Sequence, residues 1–204
     1  MIYPNALQGI IDEFESLPGI GPKMAGRIAL NLFRYKDKIS SLKHALNSID
    51  TLRKCIKCNA ICEGDLCNIC SDGQRDSSKL MIVEDYFDEV VIENADSYKG
   101  YYYIIEGLIS PINNVLPSNL RVDGLTRRIS ELSKLLDKGK KLEIVFALNP
   151  SLEGDSTMIY IQKELESDER LSFSRFALGV PRGSDLDYVD SDTLKSAYES
   201  RSEI

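Results

Sequence analysis

The chain has 204 residues, of which 43% are hydrophobic, and a formal net charge of -7. That length supports one ordinary core plus a smaller satellite, and the composition excludes disordered and fibrous classes. No apolar stretch approaches the roughly 20 residues that span a bilayer, and Met1-Ile2-Tyr3-Pro4 does not lead from a basic region into a hydrophobic one, so a cytoplasmic protein without membrane contact is expected.

From the N-terminus, Ile2, Leu7, Ile10, Ile11, Phe14 and Leu17 recur at near-helical spacing and predict a helix of about four turns, ending at Pro18-Gly19. Pro22 suits the first turn of a second helix, because its missing N–H would be unpaired there anyway. Met24, Ile28, Ala29, Leu32 and Phe33 are the expected buried stripe of that helix, and Ile39, Leu42, Leu46 and Ile49 mark a third. The connecting turn, Leu17-Pro18-Gly19-Ile20-Gly21, has the form of a helix-hairpin-helix. Glycine tolerates positive φ, and the free amides that open the second helix, aided by its dipole, can hold a phosphate without reading base sequence. Gly19, Gly21, Lys23 and Arg27 are therefore candidate DNA contacts, the two cations lying four residues apart on one helical face. The plainer reading is a tight hairpin with solvated charges.

Charge is unevenly distributed. Residues 1–54 hold eight Lys and Arg against five Asp and Glu, whereas residues 80–204 hold fourteen against twenty-three. An acidic body repels DNA from most of its surface, so binding by the basic head should be local, salt-sensitive and weak per subunit.

Next come Cys55, Cys58, Cys67 and Cys70, spaced C-x2-C-x8-C-x2-C. Each pair forms a knuckle whose thiolates converge, and two knuckles complete a tetrahedral Zn2+ shell with bonds of about 2.3 Å. Unligated thiols and disulfides are the alternatives, the latter disfavoured without signs of export. No apolar run between Cys55 and Ser78 can build its own core, so a metal would supply the cohesion. Four thiolates leave no place for water, which makes such an ion structural; Cys62 is read as a spare thiol.

Beyond Ser78, short apolar runs alternate with helical stretches, as in α/β domains with a mostly parallel sheet. Strands are expected at Leu80–Val83, Tyr101–Ile105, Glu143–Leu148 and Phe173–Leu178. Helices are expected near Phe87–Asn94, Leu120–Leu136, Ser156–Ser167 and Asp192–Ser200. Glu84 ends the first strand, where ligands bind in open sheets. Glu153 and Asp155 follow the Asn149-Pro150-Ser151 turn. The three carboxylates either converge on Mg2+ or, for the last two, simply favour a helix N-terminus. Tyr101-Tyr102-Tyr103 is read as strand packing rather than base stacking. His44 is the single histidine and has no visible nucleophile partner, and neither a Walker A loop nor a G-x-S-x-G elbow occurs.

The collinear series Leu17-Pro-Gly-Ile-Gly-Pro-Lys23, Cys67-Asn-Ile-Cys70, Ile82-Val-Glu84, Leu108-Ile-Ser-Pro111, Asn149-Pro-Ser-Leu-Glu-Gly-Asp155, Gly179-Val-Pro-Arg-Gly183 and Asp187-Tyr-Val-Asp190 resembles the bacterial RecR family of recombination mediators along nearly the whole chain. The resemblance implies an α+β protein in several parts. These are a helix-hairpin-helix head (1–54), a four-cysteine zinc finger (55–70), a Toprim domain (78–178) and a C-terminal oligomerisation segment (179–204). It further implies ring-like tetramers that encircle DNA, single- or double-stranded, and that work with RecO and RecF to load RecA at single-stranded gaps. Lys23 and Arg27 become the DNA contacts, the four cysteines the zinc ligands, and Glu84, Glu153 and Asp155 the acidic Toprim positions. In such proteins the Toprim fold serves partner binding rather than catalysis, and the alternative is a Mg2+-dependent nuclease or primase-like enzyme. The sequence departs from the family at Ile112-Asn113-Asn114, where Asp followed by Gly is usual, and at Glu106, commonly Gly.

Overall fold

Pro4 precedes helix α1 (Asn5–Glu15), which packs on α2 (Pro22–Arg34) across the Pro18-Gly19 turn. A third helix, α3 (Asp37–Asn47), runs into a 3-10 turn at Ser48–Thr51. The computed structural model describes residues 3–201, divided into two compact units that meet between Leu52 and Arg53. Ile2, expected in the first helix, lies outside the described residues.

In the first unit the buried residues are Ile11 of α1 and Ala25 and Ala29 of α2, with Leu7, Phe14 and Ile20 packed around them. The expected α2 stripe needs correction. Ala29 is buried as anticipated, but Met24 and Phe33 are 53% and 70% exposed, and Ile28 and Leu32 are only half-buried. Two alanines four residues apart let the helices close on each other, and the larger apolar side chains are left on the outside.

The second unit opens with a two-residue ribbon, β1 (Arg53–Lys54) antiparallel to β2 (Ile61–Cys62), and the short helix α4 (Asn68–Ser71). The chain then alternates through β3 (Asp76–Val83), α5 (Tyr86–Asn94), β4 (Gly100–Ile104), α6 (Val122–Ser133), β5 (Leu142–Ala147), α7 (Leu152–Leu165), β6 (Leu171–Arg175) and α8 (Ser191–Glu199). The sheet is all-parallel in the order β4-β3-β5-β6.

Side-chain alternation along β3 separates two cores. Leu80 and Ile82 face one layer with Tyr101, Tyr103, Ile144 and residues of α6 and α7, including Leu125, Ile129 and Ile161. Met81 and Val83 face the other, with Tyr102, Ile104 and the four cysteines. Parallel sheets need both faces covered. Here α6 and α7 cover one, and the cysteine module together with α5 covers the other. The cysteine segment thus belongs to the same compact unit as the sheet.

The module also shields an edge. At the end of edge strand β4, the Ile104 N–H donates to the Cys58 carbonyl (2.9 Å) and the Asn59 amide donates back to the Ile104 carbonyl (2.8 Å). The Tyr101 hydroxyl donates to the Asp72 carbonyl at 3.0 Å, and Arg75 donates to the Gly100 carbonyl at 2.8 Å. Unpaired edge groups that would template association are thereby satisfied. All three tyrosines Tyr101 to Tyr103 are buried, as packing residues should be.

Candidate metal centre and nucleic-acid interface

The first knuckle closes because Asn59 takes a left-handed conformation (φ 67°), which Asn tolerates, and its N–H donates to the Cys55 carbonyl at 3.0 Å. In the second, the Cys67 sulfur caps α4 by accepting the Cys70 N–H at 3.3 Å. The four buried Sγ atoms all lie within 4.8 Å of one another, Cys58 and Cys67 at 3.5 Å. A tetrahedral four-sulfur shell has S···S separations of about 3.8 Å, so this group can hold a metal ion. Among the described residues no other set of three or more Cys, His, Asp or Glu meets that spacing. Cys62 stands apart and donates to the Gly64 carbonyl at 3.0 Å.

Two buried ionisable side chains flank this centre. Arg128 of α6 reaches within 3.7 Å of the Cys70 sulfur. On α5, burial first, then the charges of Cys67 and Glu93, push the Glu89 carboxyl up to about 8, so it sits there as the neutral acid at neutral pH. Neither was anticipated. The one available signal for Arg128 was a charge inside the apolar stripe Leu125, Ile129, Leu132 of its helix.

In the head, Gly19 adopts φ +81°, which a side chain would strain. Gly21 caps α2 with an ordinary φ of -87° and open space where a Cβ would stand, so neither backbone nor packing demands glycine there. Among the described residues, the N–H groups of Gly19, Gly21 and Lys23 have no partner within the chain. Lys23 and Arg27 are exposed, and no described ion pair involves either.

Glu84 follows β3, at the point where the connections diverge to β4 on one side and β5 on the other. It accepts the Asn149 amide at 3.1 Å, and burial raises its carboxyl above the ordinary value. Helix α7 begins at Leu152, earlier than its expected start near Ser156, because Ser151 caps it by accepting the Gly154 N–H at 3.1 Å. Glu153 and Asp155 therefore occupy its first turn, which the dipole favours. Gly154 is required there, since a Cβ would collide with the Asn149 carbonyl oxygen. Asp155 pairs with Arg175 at 3.2 Å, and the three carboxylates do not converge to the spacing the cysteines show.

Both departures noted in the sequence fall on left-handed backbone, Glu106 at φ 63° and Asn114 at φ 57°. Glu106 binds Lys54 and Arg121, each within 2.8 Å. Burial pushes its carboxyl up, but these two cations outweigh that and hold it below the ordinary value.

A parallel sheet with an acid after its first strand and a capped helix after its third has the layout of a Toprim-type domain, here with a tetracysteine module on one face. Family models agree: residues 78–177 match the Toprim domain, residues 7–49 the RecR helix-hairpin-helix and residues 179–202 the RecR C-terminal region. The chain is 39% identical over 206 residues to recombination protein RecR of Bifidobacterium animalis subsp. lactis, covering 100% of this chain and 99% of the relative. It is 39% identical over 201 residues to that of Desulfatibacillum aliphaticivorans (98% and 97% covered), and 35% over 201 residues to that of Thermus thermophilus (98% of each). The chain belongs to the RecR family. Among the described residues, no helix is long and apolar enough to cross a membrane.

Proposed function

We propose that this protein is a DNA recombination and repair mediator that binds DNA as an oligomer and has no catalytic turnover of its own. The observation that carries the reading is the head. Among the described residues, the N–H groups of Gly19, Gly21 and Lys23 are unpartnered at the hairpin turn and the opening of α2, Lys23 and Arg27 stand exposed on the first two turns of that helix, and the fold does not need glycine at position 21. Such a surface suits a phosphate backbone of any sequence. Exposed Met24, Leu30 and Phe33 on α2 and Leu46 on α3 favour self-association of heads, and a ring-like tetramer would gather several weak sites on one DNA. With family membership, this supports action alongside RecO and RecF in loading RecA at single-stranded gaps. Cytoplasmic residence follows from that role.

The four cysteines suit Zn2+, because an all-thiolate tetrahedral set selects it and leaves no open position for catalysis. Two of the three Toprim acids already have protein partners, Asn149 for Glu84 and Arg175 for Asp155, which favours a partner-binding role over a Mg2+ site. The deciding experiment is an electrophoretic assay on gapped DNA across a salt series, with and without a RecO-like partner. Replacing Lys23 and Arg27 by Ala should weaken binding and reduce the salt slope by about 2. An unchanged slope would remove the head from the interface, and Mg2+-dependent cleavage lost in Glu84→Gln would replace the mediator reading with a nuclease.

A further inference from the structure

Arg128 is 4% exposed, on the inward side of α6 beside Leu125, Ile129 and Leu132. Its Nη2 lies 3.7 Å from the Cys70 sulfur and its guanidinium carbon 4.7 Å from the centre of the Tyr101 ring, while Nε has no hydrogen-bond partner. Among the described residues its one ion-pair partner is Glu131, 3.4 Å from Nη1, with a side chain 42% exposed. A guanidinium cannot shed its proton, and a buried one needs a compensating anion. A half-solvated carboxylate at that distance compensates poorly. Neutral thiols would compensate hardly at all, whereas four thiolates around a dication carry a net charge of about -2.

We infer that Arg128 is the counter-charge of the metal–thiolate centre, a positioning residue that donates to the Cys70 sulfur and ties the cysteine module on one face of the sheet to α6 on the other. The inference rests on the zinc reading. Tyr101 of edge strand β4 lies under the guanidinium and also bonds to Asp72, just after the second knuckle, so Arg128 spans the rim where the two layers meet. A hydrogen bond to a thiolate draws electron density from the sulfur and balances its charge, and outer partners of this kind set how firmly a metal is held.

The test measures zinc content of the full-length protein, then the rate of zinc transfer to the chromogenic chelator 4-(2-pyridylazo)resorcinol, in wild type, R128M, R128K and E131Q. R128M should load zinc but release it about tenfold faster or more. R128K should fall between it and wild type, and E131Q should release at the wild-type rate. In Co2+-substituted protein, R128M should shift the thiolate-to-metal charge-transfer band. Equal release from wild type and R128M, or equal acceleration in R128M and R128K, overturns the counter-charge role. So does acceleration in E131Q matching R128M, which would make Glu131 the true partner. Should R128M not accumulate, the neutral R128Q takes its place under the same criteria. Wild type without zinc would instead overturn the metal reading itself.

Discussion

The head and the body use similar apolar side chains in opposite ways. Among the described head residues only Ile11, Ala25 and Ala29 are buried hydrophobics, while Ile10, Leu17, Met24, Leu30, Phe33, Leu46 and Ile49 lie exposed. In the body every residue of β4 is buried, and both faces of the sheet are covered. A unit of some 50 residues has too little interior to hide so much apolar surface. The head therefore leaves much of its apolar surface uncovered, whereas the body encloses its own core. Periodicity shows which residues are apolar; it does not show what covers them.

If the cysteine module is one wall of the body's core and holds the proposed Zn2+, removing that ion should cause the largest change. Chelation is expected to cost the body more than about 5 kcal/mol, since metal binding and folding are linked in such modules. Near-ultraviolet circular dichroism of the packed Tyr98–Tyr102 pair, the first half-buried and the second fully buried, with ring centres 5.0 Å apart, should collapse. The amide exchange protection of α1 and α2 should survive. Loss of head protection with an intact tyrosine signal would reverse the comparison.

Next in size is a pair of truncations. Ile82 is fully buried between β4 and β5, so Ile82→Ala should cost about 2–5 kcal/mol in denaturant unfolding. Phe33→Ser, at a side chain 70% exposed, should leave monomer stability within about 0.5 kcal/mol but lower the mass in solution. Unchanged mass would show that the head's exposed apolar face is not where copies meet.

The legible features of the sequence were those fixed by local chemistry. Cysteine spacing identified the four sulfurs, and the apolar runs at Leu80–Val83, Tyr101–Ile105 and Glu143–Leu148 fall on β3, β4 and β5, whereas the run expected at Phe173–Leu178 only partly overlaps β6 (Leu171–Arg175), an edge strand with a single buried residue. The start of α7 was misplaced because Asn149-Pro150-Ser151 announces a turn, whereas Ser151 caps the helix immediately, putting Glu153 and Asp155 inside it. The alanine seam of α2 was masked by larger neighbours, since small side chains carry little hydropathy yet allow the closest approach. That the cysteine module lies flat on the Met81–Val83 face depends on contacts between residues distant in sequence, which spacing does not encode.

Arg75 and Glu93 fasten that arrangement, two parallel hydrogen bonds of 2.7 and 2.8 Å joining the segment after the second knuckle to α5. The Arg75 guanidinium beside it, against the opposing effect of burial, holds the Glu93 carboxyl below its ordinary 4.5. A carboxyl with a depressed folded value stabilises the protein above the ordinary pKa, and that contribution is lost as pH falls through the folded value. Glu93→Gln should therefore cost about 1–2 kcal/mol at pH 7, discounted because the carboxylate is a third exposed, and the difference from wild type should fade below pH 4.5. A gap that stays constant down to pH 3 would assign the loss to packing.

The smallest effect separates the two glycines of the hairpin turn, and it tests most directly whether the head is made for its own fold or for a ligand. Gly19→Ala forces a side chain into a left-handed conformation and should cost the head about 1 kcal/mol. Gly21→Ala meets no atom and an ordinary φ, so its stability should remain within about 0.5 kcal/mol of wild type. A methyl group at position 21 nevertheless stands beside the unpartnered amides of Gly21 and Lys23, where a phosphate would have to approach. Gapped-DNA affinity should fall in Gly21→Ala without loss of fold, measured by the same salt series with thermal unfolding as the control. If that variant binds as wild type does, the amides of the turn are not the phosphate site, and the exposed cations Lys23 and Arg27 are left to carry the head's contact with DNA.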